Sequence, residues 1–159
     1  MFDVSDILKH DTEVLNKEIL LDIDKIEYDY NKITFKRPLV FKGNFHNINK
    51  ILTVEGKVDI CFDVNCYLCN EIFEYSQTID IKEVFRQSPE EDEYEILSGK
   101  IDLNKAIIDN IILQLPTQLV CREDCKGICQ VCGKNKNIEK CDCNYTKIDP
   151  RLEKLKDLL

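Results

Sequence analysis

Eight of the nine cysteines in this chain stand in four close pairs, and this spacing constrains the fold more than any other feature. Cys66 and Cys69 form a C-x-x-C pair followed by Asn70. Cys129 and Cys132 repeat the arrangement, with Gly133 in the corresponding place. Cys121 and Cys125 are spaced C-x3-C, and Cys141 and Cys143 are spaced C-x-C. Two residues between thiolates let both sulfurs reach one ion from a tight turn. The residue after such a turn often takes a positive φ, which asparagine tolerates and glycine adopts freely.

Four pairs predict two four-coordinate centres. Cys129, Cys132, Cys141 and Cys143 are close enough in sequence to close a small ribbon-like loop. Cys66 and Cys69 need a distant partner pair, and Cys121 and Cys125 come next. The first centre is therefore expected to clamp a C-terminal lobe onto the end of a strand. Thiolate softness selects zinc, so two zinc ions are expected, and an iron–sulfur cluster is the main competitor for the same ligands. A catalytic zinc usually has three protein ligands and a water, commonly with histidine. Neither histidine, His10 nor His46, lies near a cysteine pair, so both read as surface residues. Cys61 is left over as a small, partly buried residue.

The compartment follows from the same residues. The first residues, MFDVSDILKHDTEV, have neither a basic start nor an apolar run, so no secretory signal is expected. The longest oily stretch, 107–115, is interrupted by Asp109, Asn110 and Gln114. It falls short of the roughly 20 apolar residues that span a bilayer. A cytoplasmic protein is expected, and disulfides do not persist there.

The net charge of −8 argues against broad electrostatic capture of nucleic acid. The charge is uneven. Residues 115–159 carry nine Lys/Arg against seven Asp/Glu, leaving 13 against 23 for residues 1–114. A tetrathiolate zinc centre adds about −2, which offsets the positive excess of the tail. This balance suits a basic protein partner better than bare RNA.

Strand signals dominate the first part of the chain. Leu52, Val54, Gly56, Val58, Ile60, Phe62 and Val64 are apolar or small at every second position, the mark of a strand with one buried face. Gly56 inside it marks a bulge or a crowded crossing. Leu39, Phe41 and Phe45 belong to a preceding strand, with Asn47-Ile48-Asn49 as the turn between them. Ile19, Leu21 and Ile23 alternate likewise, as do Ile26, Tyr28 and Tyr30, and Phe73, Tyr75, Ile79 and Ile81. Residues 1–10 read as a short helix capped by Asp3 or Ser5. Residues 88–95 read as a solvated acidic loop.

Over 102–115 the period changes to that of a helix. Asp102 is the expected cap, Leu103, Ala106, Ile107, Ile111 and Leu115 line one face, and Pro116 ends the element. A second short helix is expected after Asp149-Pro150, with Leu152, Leu155 and Leu159 on one face. The predicted class is α+β. An antiparallel sheet or partly closed barrel carries a packed helix in residues 1–116, and residues 117–159 form a cysteine-rich, zinc-ribbon-like lobe.

Several runs together resemble a known family. They are Ile101-Asp102-Leu103, residues 111–116, the stretch from Cys121 to Gly133 with its Cys125-Lys-Gly-Ile-Cys129 core, Cys141-Asp-Cys143 and Asp149-Pro-Arg-Leu152. The strand from Val58 into Cys69 adds to them. The sequence is similar to the YceD-like family, the large ribosomal RNA subunit accumulation proteins of bacteria and plastids. Leu68 stands where that family has an arginine.

The resemblance implies a role in accumulation or processing of large-subunit (23S) rRNA, hence ribosome biogenesis, with no established catalysis. It implies a ribosomal protein (L32, a small basic zinc-ribbon protein) or precursor rRNA as partner, and neither a membrane nor a small-molecule substrate. The second cysteine cluster is not universal in the family, which suggests local stabilisation.

Two other classes compete, an enzyme (a nuclease or a thiol oxidoreductase) and a nucleic-acid-binding module. A nuclease needs carboxylates converging on a metal ion, and no such constellation is recognisable. A thiol oxidoreductase needs an accessible, low-pKa thiolate that a bound ion would occupy. A zinc-dependent nucleic-acid-binding module is supported by Arg122, Lys126, Lys134, Lys136 and Lys140. Their simplest role is a solvated rim that offsets thiolate charge.

Overall fold

The computed structural model describes residues 1–9, 14–28 and 31–143. In chain order the elements are β1 (Phe2–Asp3), a single 3-10 turn (Ile7–Lys9), β2 (Val14–Leu20), β3 (Lys25–Tyr28), β4 (Asn31–Thr34), β5 (Val40–Ile48), β6 (Ile51–Asn65), β7 (Ile72–Arg86), β8 (Tyr94–Glu95), β9 (Lys100–Ile101) and α1 (Leu103–Gln114).

The main sheet has the order β2-β5-β6-β7-β8. It is antiparallel except at the short β7–β8 pairing, where Phe85 lies beside Tyr94 in a parallel register. It is an open sheet, so the expected sheet is found and the barrel alternative is not. Period-two sequence explains the register. Phe41 pairs with Val58, Phe45 with Val54, and Val58 with Ile79, and all these side chains are fully buried on one face. Burying a side chain of this size is worth about 1.5–3 kcal/mol, which exceeds most local conformational preferences.

Gly56 marks a crowded crossing. It pairs with Gly43 across β5–β6. A Cβ on Gly56 would lie 2.6 Å from the Phe41 ring and 2.5 Å from the Lys42 carbonyl oxygen. The Phe41 ring therefore lies over the glycine pair.

Helix α1 closes the buried face. Asp102 caps it, its Oδ1 accepting from the Lys105 amide at 3.1 Å. Leu103, Ala106, Ile107 and Ile111 are buried. At the far end Gln114 brackets β7, donating to the Asp80 carbonyl at 2.7 Å and accepting from the Asp80 amide at 3.2 Å. Tyr94 donates to Asp109 at 2.9 Å, which fixes β8 against the helix. The β3–β4 hairpin adds Ile26 and Ile33 to the same core.

Several expectations are corrected. Residues 1–9 do not form the α-helix expected over 1–10; Phe2 and Asp3 pair with Ile101 and Lys100. The β5–β6 turn is Asn49-Lys50, both at positive φ (51° and 62°). Asn47 instead lies within β5, buried, its Nδ2 donating to the Ile7 carbonyl at 3.0 Å. Leu21 and Ile23 follow β2 rather than extend it. The acidic loop ends earlier than expected, because Tyr94 and Glu95 form β8. Its Glu90 and Glu93 hold Arg86. Within 117–143 the chain forms turns and one isolated bridge, Ile128 to Asn135, with no longer ladder among the described residues. His46 sits part-exposed on the outer face of β5. His10, Tyr30 and the expected helix after Asp149-Pro150 lie outside the described residues.

Candidate metal centres

The six-residue connection between β6 and β7 is the first C-x-x-C turn. The Cys66 amide donates to the Glu71 carbonyl at 2.8 Å, and the Asn70 amide donates back to the Cys66 carbonyl at 2.8 Å. Asn70 takes a φ of 59°. The second C-x-x-C turn repeats both bonds at the same offsets. The Cys129 amide donates to Lys134 at 2.7 Å and the Gly133 amide donates to Cys129 at 2.8 Å, with Gly133 at a φ of 74°. One local conformation thus serves both halves of the site, and the asparagine and glycine occupy the position that demands a left-handed backbone.

Helix α1 delivers the remaining ligands of the first group. Beyond its end, the Leu119 carbonyl accepts from the Tyr67 amide at 2.8 Å, which brings Cys121 and Cys125 to the hairpin tip. Cys66 Sγ lies 3.8 Å from Cys125 Sγ, and Cys69 Sγ lies 3.8 Å from Cys121 Sγ. The Cys132 and Cys141 sulfurs are 3.4 Å apart. In each group, Cys66, Cys69, Cys121 and Cys125 or Cys129, Cys132, Cys141 and Cys143, the four sulfurs lie within 4.8 Å of one another. These are the two groups that the spacing predicts. Cys61 belongs to neither, and none of the nine cysteines forms a disulfide.

The donor sets suit a single ion each. A tetrahedron with metal–sulfur bonds of 2.3 Å has an edge of about 3.8 Å. A polynuclear cluster sets its own atoms between the thiolates and would hold them further apart. The first group is the more deeply placed, with Cys66 and Cys69 buried. In the second group Cys132 and Cys143 are exposed.

The sulfurs differ in acidity. Burial raises the Cys66 thiol, but the amides of Cys121, Cys69 and Leu68 outweigh it and bring it down to about 6. The amides of Cys132 and Val131 bring Cys129 down to about 6. Burial, reinforced by the Cys66, Cys125 and Cys69 sulfurs, pushes Cys121 up to about 12. The Cys141 and Cys132 sulfurs push Cys143 up to about 12. Each group thus forms one thiolate readily and resists accumulating more negative charge. A bound dication removes that resistance.

The two groups are mechanically joined. The Ile128 amide donates to the Leu68 carbonyl at 3.0 Å, tying one C-x-x-C turn to the other. Gly127, at a φ of 67°, packs against Leu68, and an added Cβ would lie 3.0 Å from that carbonyl oxygen. Asn137 donates to Cys125 Sγ at 3.3 Å, and its Oδ1 accepts from the Lys126 amide at 2.9 Å. Asn135 donates to Glu71 at 3.1 Å. Spacing alone missed these asparagines. The alternating amides of Asn135-Lys-Asn137, set between two ligand pairs, were the signal that could have found them.

The model of the family described as large ribosomal RNA subunit accumulation protein YceD matches residues 54–159. An uncharacterized protein of Mycobacterium tuberculosis is 40% identical over 74 residues, covering 46% of this chain and 35% of that protein. An uncharacterized protein of Mycobacterium leprae is 39% identical over 64 residues, covering 40% of this chain and 29% of that protein. The chloroplastic large ribosomal RNA subunit accumulation protein YCED homolog 1 of Arabidopsis thaliana is 40% identical over 50 residues, 31% of this chain and 16% of that protein. The similarity thus spans about a third or less of these relatives' lengths. No solved structure matches. No helix among the described residues is long and apolar enough to cross a membrane. Because the matched region contains both cysteine groups, α1 and nearly all of the long β6–β7 hairpin, the chain belongs to the YceD family of large ribosomal RNA subunit accumulation proteins.

Proposed function

We propose that this protein is a non-enzymatic ribosome-biogenesis factor that supports accumulation of large-subunit (23S) rRNA in the cytoplasm, with two zinc ions as its structural framework. The observation that carries the reading is the family match over residues 54–159, which includes all eight paired cysteines. Cys66, Cys69, Cys121 and Cys125 would hold one ion, and Cys129, Cys132, Cys141 and Cys143 the other. The ions supply cross-linking and charge neutralisation. The chain's own amides, from Cys121 to Cys66 Sγ at 3.4 Å and from Asn137 to Cys125 Sγ, orient the sulfurs.

Depleting the protein in its own host tests the reading. Mature large-subunit rRNA is expected to fall relative to small-subunit rRNA, with rescue by the wild-type chain and none by the Cys66→Ser, Cys69→Ser variant. An unchanged rRNA ratio overturns the reading. Metal analysis of purified protein is expected to give two zinc ions per chain.

A second reading, contact with a basic ribosomal protein, is favoured by the acidic excess of residues 1–114. Co-purification separates the two: ribosomal protein without RNA supports the second.

A further inference from the structure

A groove of about 590 Å³ lies between the two C-x-x-C turns, lined by Tyr67, Leu68, Ile128, Lys126, Lys136 and their neighbours. Its volume falls in the range of roughly 300–1,000 Å³ typical of ligand sites. Tyr67 is 65% exposed, although it sits between two candidate ligands and its amide is fixed by Leu119. Leu68 is 39% and Ile128 44% exposed. These side chains therefore present apolar surface on a rigid backbone.

The groove's charge is one-sided. No acidic residue among the described residues lines it. Nearby Arg122 is held by Asp124 at 3.3 Å and Lys134 by Glu139 at 2.9 Å. Lys126 and Lys136 have no ion pair among the described residues. A planar aromatic ring flanked by two uncommitted cations suits a ligand with flat faces and regularly spaced negative charge. The acidic sheet beside it disfavours a long duplex and confines contact to a short segment.

We infer that the groove between the two cysteine turns binds single-stranded RNA, with a base stacked on Tyr67 and phosphates on Lys126 and Lys136. This rests on the reading that the protein acts on ribosomal RNA and adds the surface that touches it. Leu68 and Ile128 form the apolar floor beside the stacked base. The Ile128-to-Leu68 hydrogen bond fixes the groove's width.

The test is fluorescence anisotropy of the metal-loaded full chain. The probe is a labelled oligoadenylate of about 12 nucleotides, within the roughly 4–16 covered by single-strand-binding folds. The same strand annealed to its complement and an oligoglutamate peptide serve as competitors. The single strand is expected to bind best. Tyr67→Ala should weaken it about 5- to 150-fold, the loss of one stacked base, and Tyr67→Phe should restore it. The Lys126→Met, Lys136→Met variant should reduce the steepness of the log–log salt dependence by about 1.4, for two phosphates on a single strand.

Metal content of each variant separates this role from charge compensation. If the lysines only offset thiolate charge, metal retention falls and the salt slope does not change, which overturns the proposal. Unaltered binding by Tyr67→Ala, or tighter binding of oligoglutamate than of RNA, also overturns it. Failure here with a positive depletion phenotype leaves the biogenesis reading standing and removes only this surface.

Discussion

The side-chain amide of Asn137 donates a hydrogen bond to the sulfur of Cys125, 3.3 Å away. Asn137 lies between ligand pairs of the second group, whereas Cys125 belongs to the first. A loop closed by one centre therefore steadies a ligand of the other. Removing partners of this kind typically weakens metal binding 10–100-fold. Asn137→Ala is expected to lower zinc affinity at the first centre by about that factor. Competition against a chromophoric chelator, with site occupancy followed by nuclear magnetic resonance, checks it.

Metal removal should act locally. The long hairpin owes its stability to side chains such as Val58 and Ile79, whereas in the 117–143 lobe the buried apolar side chains are Leu119 and Cys129. On treatment with a strong chelator, the Ile128, Gly133 and Lys136 amides should lose protection from hydrogen exchange. Those of Val58 and Ile79 should keep theirs. Lasting protection of the lobe in metal-free protein would show that coordination does not order it.

Helix α1 allows a matched comparison. Ile107 and Ile111 are fully buried, while Leu113 is 82% exposed. Ile107→Ala should cost about 2–5 kcal/mol in urea unfolding. Leu113→Ala should stay within about 0.5 kcal/mol.

Gly56→Ala should destabilise by about 1–3 kcal/mol, because the Phe41 ring and the Lys42 carbonyl already occupy the space. Phe41→Leu in the same chain is expected to recover part of this loss, since it withdraws the ring. A double-mutant cycle measures the recovery.

Lys36 bonds both Asp63 at 2.7 Å and Glu74 at 2.8 Å. The Lys36 ammonium holds the Glu74 carboxyl below its ordinary value of 4.5. Stability from Glu74 is therefore present above that pH and is lost as pH falls through the lowered value. Lys36→Met should flatten the acid side of the stability profile and leave its shape near neutrality unchanged. Urea midpoints across the acid range check it.

Features governed by neighbours in sequence were the readable ones. The alternation from Leu52 to Val64 gave β6, and Asp102 and Pro116 bracketed α1. The cysteine groups were legible because proximity leaves few ways to divide four pairs. The misread parts depend on remote partners. Asn47 looked like a turn residue, but its amide is satisfied by Ile7, far away in sequence. Phe2 and Asp3 have strand conformation only because Lys100 and Ile101 lie beside them. The place of Asn135 and Asn137 between two ligand pairs marks them out, but their partners, Glu71 and Cys125, lie outside their immediate neighbours in sequence.

The first group draws its sulfurs from positions 52 and 59 residues apart. At synthesis rates of roughly 5–20 residues per second, the hairpin carrying Cys66 and Cys69 is complete at Arg86, roughly 2–8 s before Cys121 and Cys125 exist. During that interval two thiols stand at the tip of a finished hairpin with half a ligand set. Capture of an ion there would be a late step in the birth of the molecule, and an oxidant that arrived first would compete for the same two sulfur atoms.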